Sequence, residues 1–182
     1  NKFPGGISFG GNIQFGDHLN VNSGSADMVF TNALSIGSSS RVLTIGGIGN
    51  YKFSGNISGL TGAGITINSI SSGSMEFSGN NTYTGPTTIN AGTLILSGNA
   101  TLSSSNSVGL GSTATLDITG ISASTFTMGL TQPLIITATG SNSSATIHVG
   151  SYDSLYIATG GIQFTSFDGG STPPFVFTGS HG

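Results

Sequence analysis

Cysteine and tryptophan are absent, and only 5% of the 182 residues are charged. Without cysteine there is no disulfide framework, no thiolate metal site and no thiol nucleophile. Lys2, Arg41 and Lys52 are the only permanently basic residues and the formal net charge is −3. The chain therefore lacks the basic footprint that nucleic acid or an anionic membrane would require. No apolar run approaches the ~18 residues of a membrane-spanning helix, and no N-terminal signal segment is legible, so membrane insertion is not expected. Beginning at Asn1 rather than Met, the sequence reads as a processed or excised piece.

Good helix formers are scarce as well. Gly, Ser, Thr and Asn supply 98 residues, more than half of the chain. All four are poor in helix interiors, and no stretch carries apolar residues at i, i+3, i+4 and i+7. The 35% hydrophobic content is nonetheless enough to fill a core and argues against disorder. An all-β chain of short strands separated by turns remains, and 1–182 reads as one domain.

The strands follow a repeat. An apolar, any, apolar, Ser/Thr, Gly pattern occurs as YKFSG (51–55), MEFSG (75–79), LILSG (94–98), LDITG (116–120), ITATG (136–140), YIATG (156–160) and FVFTG (175–179), with degenerate copies at NKFPG (1–5) and MVFTN (28–32). The second apolar residues are Phe3, Phe30, Phe53, Phe77, Leu96, Ile118, Ala138, Ala158 and Phe177, at intervals of 19 to 27 residues. That period predicts a parallel β-solenoid of about nine coils, with a β-sandwich or barrel as the competing arrangement. Residues two apart point to one side of a strand. Stacking should therefore give an inner column of Met28, Tyr51, Met75, Leu94, Leu116, Ile136, Tyr156 and Phe175 beside the column of second residues, with each Gly supplying a turn. Aligning 53–68 with 77–90 further places Leu60 where Tyr83 lies and Ile67 where Ile89 lies, and assigns corners to Asn56, Asn80 and Asn90.

FSGNNTYTGPTTINAGTLILSGNATL (77–102) resembles the autotransporter-associated β-strand repeat, also called the passenger-associated transport repeat, of bacterial type V secreted proteins. Pro86 stands where the family commonly has Gly. The resemblance covers this copy and a weaker one at 53–68. It implies a right-handed parallel β-helix, secreted or on the bacterial surface, whose repeats are structural and carry no catalytic residues. No C-terminal outer-membrane barrel follows in this sequence, so anchoring would lie elsewhere or be lacking.

Chemistry has few candidates. Polysaccharide-active β-helices need clustered carboxylates, but Asp17, Asp27, Glu76, Asp117, Asp153 and Asp168 are dispersed. The outward column should read Lys2, Val29, Lys52, Glu76, Ile95, Asp117, Thr137, Ile157 and Val176, which makes Lys52 and Glu76 an ion pair. Gly6-Ile7-Ser8-Phe9-Gly10 fits a nucleophile elbow by spelling, without the helix that must follow. Asp17-His18 lacks an identifiable serine, His148 alternates with apolar neighbours and His181 stands alone. In GGIGNYKFS (46–54), Tyr51 occupies the Asp position of a calcium-binding nonapeptide. No catalytic residue, metal or cofactor is expected, and the chain is not expected to be an enzyme. Thr113/Thr115, Thr125/Thr127 and Thr137/Thr139 could offer hydroxyl rows to ice, glycans or another sheet. Asn56, Asn80, Asn99 and Asn142 open Asn-x-Ser/Thr sequons.

No terminal cap is legible, and an uncapped solenoid presents open strand edges. Lys2 and Phe3 at one end, with Phe175, Val176 and Phe177 at the other, are therefore candidates for head-to-tail stacking into a fibre. The alternatives are a stalk, a passenger fragment binding a glycan or surface receptor, and a polysaccharide-active enzyme.

Overall fold

A computed structural model of the chain describes residues 7–22, 24–69, 73–102, 104–137, 144–150, 154–165 and 175–178. Among these there is no helix, and every strand pairing is parallel. The chain winds through three faces per coil. The first coil holds β1 (Ile7–Phe9), β2 (Ile13–Phe15) and β3 (Leu19–Asn22), and the second β4 (Met28–Phe30), β5 (Leu34–Ile36) and β6 (Val42–Gly47). The third holds β7 (Tyr51–Phe53), β8 (Ile57–Gly59) and β9 (Gly64–Ser69).

Next come β10 (Ser74–Phe77) and two long strands, β11 (Thr87–Gly98) and β12 (Val108–Ile121). Each long strand crosses a corner and serves two faces, and the ladder slips at Ile89/Ala91 where the corner falls. The stack closes with β13 (Thr125–Thr127), β14 (Leu134–Thr137), β15 (Ala145–His148), β16 (Ser154–Tyr156), β17 (Ile162–Thr165) and β18 (Phe175–Thr178). Strand backbones thus bond to the coils above and below, about 4.8 Å away, which satisfies N–H and C=O groups without helices.

The registers give one inner column of Ile7, Met28, Tyr51, Met75, Leu94, Leu116, Ile147 and Phe177. A second runs Val21, Ile45, Ile67, Ile89, Leu110, Ile136 and Phe164. Tyr51 through Leu116 and Ile45 through Ile136 are fully buried along these columns, each large side chain contributing about 1.5–3 kcal/mol relative to exposure. The phenyl rings of Phe9, Phe30 and Phe53 stack face to face at 4.8 and 4.4 Å between centroids, and Phe77 meets Phe53 edge-on at 5.5 Å.

Five consecutive rungs of the expected column, Met28 to Leu116, are correct, and so is the match of Ile67 to Ile89. Other expectations change. The described ladder opens with Phe9 opposite Phe30, whereas Phe3 lies outside the described residues. Ile136 belongs to the second column, Tyr156 to a third face beside Thr127, and Phe177 rather than Phe175 continues from Ile147. The first column has eight rungs among the described residues, against nine coils expected. The cause is coil length: 31 residues separate Leu116 from its partner Ile147, and a coil that long contains the apolar-any-apolar pattern on more than one face. Leu60 is 55% exposed, and it is Gly59 that lies beneath the buried Tyr83. A Cβ on Gly59 would stand 3.3 Å from the Tyr83 Cβ and 2.6 Å from the Ala63 Cβ, so the small residues leave the ring its room.

The glycines that end the rungs act through space as well as through turning. A Cβ at Gly79 would lie 2.6 Å from the Gly55 carbonyl carbon and 2.8 Å from the Asn56 nitrogen, with no positive φ involved. Consecutive coils touch backbone to backbone at this corner. Gly79→Ala should cost about 1–3 kcal/mol, as overpacking does. Gly10→Ala, where nothing lies within 4 Å, should be neutral or slightly stabilising; urea unfolding midpoints of the two variants check the contrast.

Candidate functional site

The outward column next to the first inner one reads Val29, Lys52, Glu76, Ile95, Asp117, His148 and Thr178. Lys52 Nζ donates to Glu76 Oε1 at 2.9 Å, as the spacing predicts, and Ser97 Oγ donates to the same oxygen at 2.7 Å. Beyond Asp117 the column departs from the expected Thr137. The lengthened coil brings His148 there instead, its Nδ1 3.8 Å from Asp117 Oδ2, while Thr119 donates to Asp117 Oδ1 through both N–H (2.9 Å) and Oγ1 (2.7 Å). Sequence alternation puts His148 outside, correctly, but gives no sign of its acidic neighbour.

Other candidates resolve into local structure. Asp17 Oδ1 accepts the His18 backbone N–H at 2.7 Å and stands 3.5 Å from Arg41 Nε, while His18 Nδ1 accepts from the Val42 N–H at 3.2 Å. Ser8 sits within β1 opposite Val29, and a strand follows it. Tyr51 is buried with its hydroxyl donating to the Gly46 carbonyl. Asp27 Oδ1 accepts from the N–H (2.8 Å) and Nδ2 (3.0 Å) of Asn50, whose own Oδ1 accepts from Ser74 Oγ at 2.8 Å. No group of three metal-ligating side chains occurs among the described residues. Asp153, Asp168, His181, Thr139 and Asn142 lie outside them.

Asparagines link successive coils: Asn56 Oδ1 accepts the Asn80 N–H at 2.9 Å, and Asn90 Nδ2 donates to Asn68 Oδ1 at 2.6 Å. Hydroxyl rows exist with other members than the Thr-any-Thr pairs suggest: Thr93, Thr115 and Thr146 on one face, Thr44, Thr66 and Thr88 on another.

A buried polar corner carries no legible sequence signal. Tyr83 shares a 2.7 Å hydrogen bond with Thr87, whose Oγ1 donates to Ser105 Oγ at 3.0 Å. The single Ser105 hydroxyl proton is shared between the carbonyls of Gly85 (2.7 Å) and Ser107 (2.9 Å). Gln132 Nε2 reaches the carbonyls of Leu102 and Ser105, both at 2.6 Å. These side chains do for the corner backbone what strand pairing does elsewhere. Burial drives the Tyr83 phenol well above its ordinary value of 10.0, against the smaller opposing effect of the Thr87 hydrogen bond.

At the first end, Ile7 and Phe9 are exposed, and an apolar cavity of about 200 Å³ opens among Phe9, Ile13, Leu19, Val21, Met28, Phe30 and Leu34. At the other end Tyr156, Ile162, Phe164 and Phe177 are exposed, the last two at 54% and 52%. Of the candidate assembly residues, Val176 and Phe177 lie in β18, which pairs with β15. The Phe175 backbone pairs with Ala145, and Lys2 falls outside the described residues with Phe3.

Residues 71–96 match the family model of the passenger-associated-transport-repeat. No curated protein and no solved structure matches the chain. The matched stretch contains β10 and all but the end of β11, hence about one turn of the stack. Fold and match together mark it as a structural repeat of the autotransporter-passenger type.

Two outcomes are expected. Below pH 10.0 both folded and unfolded chains keep the Tyr83 proton; above it the unfolded chain releases a proton that the folded chain holds, so stability falls as pH rises. Tyr83→Phe should flatten this alkaline decline, as read from urea midpoints between about pH 8 and 11.5. Glu76→Gln should cost less than about 1 kcal/mol, and raising the salt concentration should shrink the difference from wild type.

Proposed function

We propose that the chain is a non-catalytic structural β-solenoid, exported to the bacterial surface, that lengthens by stacking end on end into a fibre. The observation that carries this reading is the partial exposure of large apolar side chains at both ends of the described stack: Ile7 and Phe9 beside a cavity at one, Ile162 and Phe164 at the other. Ile7 and Phe177 terminate the same inner column. A second copy set on the end would continue that column in register and cover apolar surface. Such a contact is head to tail, so it propagates. Export is supported by the passenger-associated repeat at 71–96. A structural role is supported by the central carboxylates: Glu76 is held by Lys52 and Ser97 of the neighbouring rungs, and Asp117 by Thr119 beside it.

The second reading, a stalk segment within a longer passenger, is favoured by the same repeat match. Sedimentation over a range of concentrations, with negative-stain microscopy of the concentrated sample, separates the two. The fibre reading expects polymers that shorten or vanish in Phe177→Asp; a monomer that persists at the highest concentration overturns it in favour of the stalk. Depolymerisation of an acidic glycan that is lost in Glu76→Gln would overturn the non-catalytic assignment.

A further inference from the structure

We propose that a groove on the outer side of β11, β12 and β14 binds an uncharged carbohydrate. Its volume is about 360 Å³, and Thr88, Asn90, Ser107, Leu110, Ile135 and Thr137 line it around Gly109. None of the lining residues is ionisable, so a phosphate, a carboxylate or an ammonium group would enter without a counter-charge. Hydroxyls and a carboxamide surround one outward aliphatic side chain, Ile135, while the Leu110 side chain is buried in the core. A sugar ring matches that mixture, with a C–H face for Ile135 and hydroxyls for the rim. Two rim groups are already oriented: Asn90 by its 2.6 Å bond to Asn68, and Thr137 by a 2.7 Å bond between its Oγ1 and that of Thr165. Holding them in place before binding reduces the ordering cost of a complex.

Gly109 is the decisive residue. The register runs Thr88, Gly109, Ile135, so the middle side chain of an outward column is missing between two β-branched neighbours. Packing does not demand this. Two residues on, at Gly111, a Cβ would lie 3.0 Å from the Asn90 carbonyl carbon, whereas at Gly109 it would meet nothing nearer than 3.8 Å and φ is outside the left-handed region. A β-branched residue would suit the strand better. Glycine within a strand, without a steric reason, marks a surface that something else approaches closely. The notch spans three coils, about 10 Å along the stack, which suits a short oligosaccharide.

The site does not depend on end-to-end stacking. The test is a printed array of uncharged oligosaccharides alongside sialylated and uronic-acid glycans, followed by calorimetric titration of the strongest uncharged ligand into wild type, Gly109→Val and Thr88→Val. Binding of an uncharged glycan is expected, weakened at least about tenfold by Gly109→Val and measurably by Thr88→Val, while Gly109→Val leaves the melting temperature equal or higher. No retained glycan, retention of acidic glycans alone, or full affinity in both variants overturns the proposal. So does unfolding of Gly109→Val, because the residue would then be required by packing.

Discussion

Hydrogen bonding between successive coils is the constraint from which the rest of this structure follows. Each strand must lie about 4.8 Å from the strands above and below it and parallel to them. Once that spacing is imposed, equivalent side chains face one another directly, and each inner position becomes a column that must be filled by residues able to sit on their own kind. The stacked rings of Phe9, Phe30 and Phe53 and the isoleucine and leucine file from Ile45 to Ile136 are solutions to that requirement. The corner glycines are another, because the backbones of Asn32, Gly55 and Gly79 approach too closely for any Cβ between them.

The same spacing governs the polar groups. Outside the stack, an asparagine that bonds to the coil below can be bonded by the coil above, as with Asn56 and Asn80. Where no strand forms, at 79–84 and 99–102, side chains take over the work of the ladder: Asn81 reaches the Ile57 N–H below and the Thr101 carbonyl above, and Gln132 grips two carbonyls of the preceding coil. Fixed partners on both sides leave these buried groups satisfied and the register unique.

Legibility in the sequence followed the regularity of the coil. Between Met28 and Leu116 successive partners are 19 to 24 residues apart, and a five-residue pattern finds every rung. Beyond Leu116 the coils lengthen, and a pattern that means only "inward strand" can no longer tell one face from another; Ile136 and Tyr156 satisfy it on faces where it was not expected. Lys52 and Glu76 were foreseeable because they fall in the regular part, whereas the approach of His148 to Asp117 depends on an irregular coil. Thr87, Ser105 and Gln132 had no signal at all, since buried polar residues are indistinguishable in a chain so rich in exposed ones. The groove beside Gly109 was hidden for a related reason: among 31 glycines, only the space around each one separates the required from the unforced.

The register pairs Met28 with Tyr51 and Tyr51 with Met75, and it pairs the second inner column in step. Excising one full turn would set Met28 against Met75 and leave both columns in register. Duplicating a turn would likewise insert new rungs without displacing old ones. Length in such a molecule is therefore heritable in whole turns: recombination between neighbouring repeats can shorten or extend the rod, while a gain or loss of one residue within a strand reverses which side chains face inward.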